Sequence, residues 1–258
     1  MPINISKGLT FLTSEALESH KVKHGFFMRH GGTSPSPWKS LNMATSVGDS
    51  SENVIENRKR IADALQIGRF DFYDLWQVHS NEVVIAEKPR RRGEPHMKAD
   101  AIVTNKENLA LLMQFADCVP ILFFDPERKV IASAHAGWKG TLSGIAAETV
   151  KMMMQKFNSE PGKIISVIGP SICREHYQIG EDVASKVNSF FKSEEKVLTC
   201  IKEKKFMDLS AANRIILEKM GLKNIEMMDI CTFCNKEDWF SHRGENGKTG
   251  RFASIITL

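Results

Sequence analysis

A chain of 258 residues that is 42% hydrophobic and 26% charged can bury its own core and has the make-up of a globular protein, not a disordered or fibrous one. Its formal charge of +4, from 35 basic and 31 acidic residues, is too mild and too evenly mixed for a dedicated nucleic-acid binder. Five scattered cysteines argue for reduced thiols and a cytoplasmic setting, Met1–His20 lacks a signal-peptide pattern, and no run approaches a membrane span.

No repeat or low-complexity linker interrupts the chain, so residues 1–258 read as one domain. Short runs rich in Val, Ile and Phe predict a first strand over Gly25–Arg29. Asp49-Ser50-Ser51-Glu52 has the pattern of a capping box with Asp49 as cap, opening a helix to about Gln66. Its apolar stripe, Val54, Ile61 and Leu65, also takes in Arg58. An arginine turned inward is costly unless a bound anion or a structural carboxylate meets it. Strands follow over Val78–Ala86, Ala101–Thr104, Leu109–Phe115, Val119–Phe124 and Val130–Ala134, and Arg90-Arg91-Arg92 reads as a solvated loop.

Asp125-Pro126-Glu127-Arg128 reads as a hairpin turn, which makes its flanking strands antiparallel and argues against a simple doubly wound sheet. Leu142, Ile145, Ala146, Val150 and Met153 form one helical stripe, with Gly137 and Gly140 at its entry. Strands over Ile164–Ile168, Ile225–Ile230 and Phe252–Thr257 and helices over Glu181–Phe191 and Ser210–Met220, the latter stopped by Gly221, complete the pattern. Cys231-Thr232-Phe233-Cys234 has no second C-x-x-C to complete a four-sulfur site, so both thiols read as packing at a strand end.

Three biased segments stand out: Trp76-Gln77-Val78-His79-Ser80, Ala116-Asp117-Cys118-Val119-Pro120 and His135-Ala136-Gly137-Trp138-Lys139-Gly140. Each places His79, Cys118 or His135 at or near a strand end, where distant side chains converge. Two imidazoles and a thiolate suit a zinc ion with an open fourth position. A core cysteine and two hydrogen-bonded histidines are the plainer alternative.

These segments belong to a longer ordered set. It includes Arg29-His30-Gly31-Gly32-Thr33-Ser34, Ser40-Leu41-Asn42, Val47-Gly48-Asp49, Glu56-Asn57-Arg58, Ile168-Gly169-Pro170, Met207-Asp208-Leu209, Cys231-Thr232, Phe240-Ser241-His242-Arg243 and Thr249-Gly250-Arg251. Together they resemble the YfiH-type family, known as laccase-domain or polyphenol oxidase proteins and later as purine nucleoside phosphorylases. The resemblance implies an α+β fold, layered α/β/β/α with mixed sheets. It implies His79, Cys118 and His135 as catalytic metal ligands for zinc. By their chemistry, copper is a possible substitute at such ligands and Asp117 is a candidate to orient one of them.

The resemblance further implies adenosine, inosine and S-methyl-5'-thioadenosine as substrates with phosphate, together with adenosine deamination. Arg58, Arg29 and Arg243 are candidates for the anion, Asn42 and Gln77 for ribose or base, and His242 for either. Gly244 replaces a second arginine and Gln178 a glutamate of the family pattern, which leaves those substrate contacts without a counterpart. Two other chemistries fit the same residues. One is a copper-dependent polyphenol oxidase, although no H-x-H pair is present among the 8 histidines. The other is a metal-free hydrolase with a Cys118–His135 dyad. No nucleic acid, membrane or obligate protein partner is expected.

Overall fold

The computed structural model describes residues 1–68, 71–91 and 93–258; Arg92 of the basic run lies outside the described residues. Two six-stranded mixed sheets carry the fold. In the first, Ile3–Ser6, Leu9–Leu12, Lys23–Phe27, Phe252–Thr257, Ala110–Phe115 and Phe72–Tyr73 lie side by side in that order. In the second the order is Asn224–Met227, Ile165–Ile168, Val119–Asp125, Val130–Ala136, Ala101–Thr104 and Val83–Ile85. A small antiparallel sheet joins Gln178–Ile179, Lys204–Met207 and Leu198–Ile201.

Side-chain alternation explains the layers. On Val119–Asp125, Val119, Ile121 and Phe123 face the helices, while Leu122 and Phe124 face the other sheet. On Ala110–Phe115, Leu111, Met113 and Phe115 point between the sheets, while Ala110 and Leu112 point the opposite way. Helix Ser51–Leu65 covers the outer face of the first sheet with Ile61, Ala62 and Leu65. Helices Ile145–Phe157 and Leu209–Lys219 cover the second through Ile145, Val150, Met153, Ile216 and Leu217. The result is the α/β/β/α layering that the resemblance implied. Sheets buried on both faces need continuous apolar runs, which is why these strands were readable without alternation.

The structure corrects several local expectations. Ser50, not Asp49, caps the first long helix, its side chain accepting from the Asn53 N–H at 3.2 Å. Asp49 instead accepts from the side chains of Asn42 and Asn53 at 2.8 and 3.0 Å. The stripe from Leu142 to Met153 is two helices, Trp138–Leu142 and Ile145–Phe157, broken by Gly144 at φ 84°. The Val78–Ala86 strand shrinks to Val83–Ile85 and the Ile225–Ile230 strand to Asn224–Met227, so His79 and Cys231 both sit in irregular backbone. Two hairpins were unreadable. Both turn on two residues with positive φ, Lys7-Gly8 and Lys202-Glu203, and the second lacks the glycine that marks such turns.

Candidate active site

His135 is placed by register. The hairpin at Asp125 forms as read, with the Asp125 carboxylate accepting from the Glu127 and Arg128 N–H groups at 2.9 and 3.1 Å. It pairs Pro120 with His135 and Val119 with Ala136. Cys118 therefore lies just beyond the end of one strand, beside the last residues of the other. The neighbouring strand brings Asp100, whose carbonyl accepts from the His135 N–H at 2.8 Å. The Asp100 carboxylate accepts from His135 Nδ1 at 2.9 Å, which leaves Nε2 as the free donor atom of the ring.

The same buried carboxylate holds the His79 loop. Asp100 Oδ2 accepts from the backbone N–H of Val78 and Ser80 at 3.2 and 2.6 Å and from the Ser80 hydroxyl at 2.8 Å. Gln77 locks the loop from the other side. Its amide donates to the Gln114 carbonyl at 2.8 Å and accepts from the Gln114 N–H at 2.9 Å. Curling around Asp100 forces His79 to φ 59°, and Asp117, before Cys118, stands at φ 82°. Such positions cost about 1–3 kcal/mol each and persist where the surroundings over-determine them.

The donor atoms of His79, Cys118 and His135 lie within 4.8 Å of one another. Cys118 Sγ is 3.8 Å from His79 Nε2, and the two imidazole centroids are 4.9 Å apart. Ligands about 2.0–2.3 Å from one tetrahedral centre stand roughly 3.3–3.8 Å apart, so this set is close to a metal-binding arrangement. Gly137 keeps the space open. A Cβ there would sit 2.8 Å from His79 Cδ2 and 2.9 Å from Cys118 Sγ.

Burial works against the Cys118 thiolate, but the facing His135, helped by His79, overcomes it and brings the thiol down to about 6. His135 is pushed up to about 9, against its burial, by the Cys118 thiolate and by Asp100. The triad thus favours an ionised sulfur, the form a metal requires.

The triad opens on a cleft of about 680 Å³ whose lining includes Arg58, Gln77, His96, His242 and Arg251. Arg58 does face inward. Nη1 donates to Asp74 at 2.8 Å and Nη2 to the Met43 carbonyl at 3.3 Å, whereas buried Nε has no partner among the described residues. Asp74 also accepts from Arg90 Nε at 2.6 Å and meets His96 at 3.2 Å. Despite burial, these partners hold its carboxyl well below the usual carboxylate range. Arg90, expected in a solvated loop, is therefore a wall of the cleft, carried there by a buried carboxylate.

The other candidates lie off this wall. Arg29 donates to the Lys39 and Lys236 carbonyls at 3.0 and 2.6 Å and to Glu245 at 3.1 Å, with its guanidinium over Phe240. Buried Asn42 accepts from the Arg251 N–H at 2.8 Å and so helps seat a residue that does line the cleft. Arg243 donates from Nη1 to the Gln178 carbonyl at 3.0 Å. Among the described residues Asp117 makes no hydrogen bond to His79 or His135. It accepts from the hydroxyls of Thr232 and Ser241, each at 2.7 Å, and from the Arg243 N–H at 2.6 Å, tying the C-terminal loop to the cysteine.

Sequence reasoning passed over Asp100, Asp74, His96 and Arg251. Asp100 had one signal, an acid entering an apolar run at Ala99-Asp100-Ala101, and Arg251 had another, its place in the Thr249-Gly250-Arg251 motif; Asp74 and His96 had none. We expect Asp100→Asn to lower metal affinity about 10–100-fold, because the neutral amide neither holds His135 as firmly nor gathers both N–H groups of the His79 loop. Metal titration of the purified variant checks this, and affinity equal to the parent's would exclude a role for Asp100 in organising the triad.

The chain resembles known proteins along almost its whole length. It is 37% identical to the Bacillus subtilis protein named purine nucleoside phosphorylase YlmD over 247 residues, covering 92% of this chain and 89% of that one. It is also 37% identical to a Deinococcus radiodurans purine nucleoside phosphorylase over 237 residues, with the same coverages. The crystal structure of the Bacillus licheniformis hypothetical protein YfiH superposes with a TM-score of 0.91 at 35% identity, covering 100% of this chain and 99% of that one. The pattern of the family described as "Multi-copper polyphenol oxidoreductase laccase" matches residues 23–258, and the chain belongs to that family.

Proposed function

We propose that this protein is a purine nucleoside phosphorylase acting on adenosine, inosine and S-methyl-5'-thioadenosine with phosphate, and that it also deaminates adenosine. The observation that carries this reading is the His79–Cys118–His135 triad at the base of a cleft walled by Arg58, Arg90, His96 and Arg251. Two imidazoles, a thiolate and the space kept by Gly137 fit zinc with one position left for substrate or solvent. When bound, zinc supplies a Lewis acid that activates water near neutral pH.

The remaining work belongs to the chain. Phosphorolysis breaks the bond between C1′ and the base and joins a phosphate oxygen to C1′, while positive charge builds on the sugar. Arg58 and the cations around Asp74 hold the anion, since one carboxylate leaves that cluster with excess positive charge. His242 serves ribose or base, and Asn42 and Gln77 act through the segments they seat. Deamination replaces the purine C6 amine by a water-derived oxygen and needs no phosphate. The deciding experiment is product analysis of the purified protein with each nucleoside, with and without phosphate. No free base from inosine plus phosphate, and no inosine from adenosine, would sink the reading.

Copper oxidase chemistry is less well supported. Among the described residues the triad brings together only two histidines, His79 and His135, too few for several copper centres. Metal analysis of protein made without added copper separates the two readings. The ionised Cys118–His135 pair keeps a cysteine hydrolase in view. In metal-free protein, alkylation of Cys118 is expected to be half-maximal near pH 6, because thiolate appears above that pH, whereas an unperturbed thiol would need about 8.5. Zinc should block the alkylation. Activity that survives chelators but dies on alkylation would favour the hydrolase.

A further inference from the structure

A second cluster of ligating side chains lies outside the triad. Cys173, His176, Cys231 and Cys234 bring one donor atom each within 4.8 Å of the others. His176 Nδ1 is 3.2 Å from Cys173 Sγ and 3.4 Å from Cys234 Sγ. Donors around one tetrahedral zinc, about 2.0–2.1 Å away for nitrogen and 2.3 Å for sulfur, stand roughly 3.5–3.8 Å apart. We propose that these four residues form a structural zinc site of three thiolates and one imidazole, distinct from the triad and taking no part in the chemistry proposed above.

Three further observations support a built site. The two pairs have ligand spacing, Cys173-x-x-His176 and Cys231-x-x-Cys234, on segments that run side by side through the Ser171–Cys231 bridge. Cys231 Sγ accepts from the backbone N–H of Cys173 at 3.3 Å and of Cys234 at 3.4 Å, the way a turn stabilises a thiolate that binds metal. The His176 ring is fixed by stacking on Phe233, with centroids 4.1 Å apart. Zinc is the expected occupant because four protein donors, three of them soft, close the tetrahedron and leave no position for substrate.

Its consequence is mechanical. Thr232 lies within the second pair, and Ser241 and Arg243 follow it; all three hold Asp117, next to Cys118. A metal at the four residues staples the segment after strand Ile165–Ile168 to the loop that supports the catalytic cysteine. Because the ligands are far apart in sequence, binding there contributes directly to folding.

The test uses full-length protein purified without added chelator or metal-binding tag. The parent should carry two zinc ions per chain and the His79→Ala/Cys118→Ser variant one, and X-ray absorption of that variant should show three sulfurs and one nitrogen. Cys173→Ser/Cys234→Ser should lose one zinc while keeping the triad's. If that variant fails to fold, the parent still decides. Cys173, Cys231 and Cys234 should resist alkylation until zinc is stripped, and Cys234→His should retain two zinc ions. A triad variant holding no stoichiometric zinc would overturn the proposal, as would a metal-free disulfide between any two of these cysteines in the parent.

Discussion

Cys118→Ser should reduce every activity by more than about 100-fold, given that loss of even an outer partner of a metal ligand costs about 10–100-fold. Serine is nearly the same size, but its hydroxyl stays protonated where the thiol falls to about 6, and it is a poor ligand for zinc. The fold should survive. Val119 and Pro120 remain paired with Ala136 and His135, and Asp117 keeps its three donors. The measurement is turnover and bound metal on the same preparation, with circular dichroism to establish folding. A folded variant with normal turnover and unchanged metal content would remove Cys118 from the site.

Arg58→Ala should impair phosphorolysis more than deamination. An arginine that holds phosphate acts only where phosphate reacts, and losing one charge-assisted contact costs about 1.5–3 kcal/mol. That corresponds to a fall on the order of ten- to more than a hundredfold in phosphorolysis. Its ion pair with Asp74 complicates the expectation, since removing one partner of a buried pair strands the other. Asp74 nevertheless keeps Arg90 at 2.6 Å and His96 at 3.2 Å, so the carboxylate is not left alone. The informative quantity is the ratio of the two activities, corrected for folded protein. If Arg58 serves only Asp74, the ratio stays at the parental value while the melting temperature falls. Arg58→Lys adds a control, because it restores charge without the planar guanidinium and its Nε donor.

The readable part of the chain follows from local rules. Strands buried on both faces had to be apolar throughout, so the runs Val119–Phe124, Val130–Ala134 and Phe252–Thr257 were readable to within two residues, as was the turn at Asp125 that fixes the register of His135. The three candidate ligands stood out because each lies at or near the end of an apolar run in the sequence, although only His135 falls inside a strand. The partners of each buried charge came only from the three-dimensional arrangement. Asp100 organises His79 and His135 from positions 21 and 35 residues away, and Asp74 gathers Arg58, Arg90 and His96 across two loops and a helix. Cys231 and Cys234 looked incomplete because their partners, Cys173 and His176, are more than 50 residues earlier. A buried carboxylate or a shared ligand set is specified by who arrives beside it, and that depends on strand order and loop path, which no window of sequence contains.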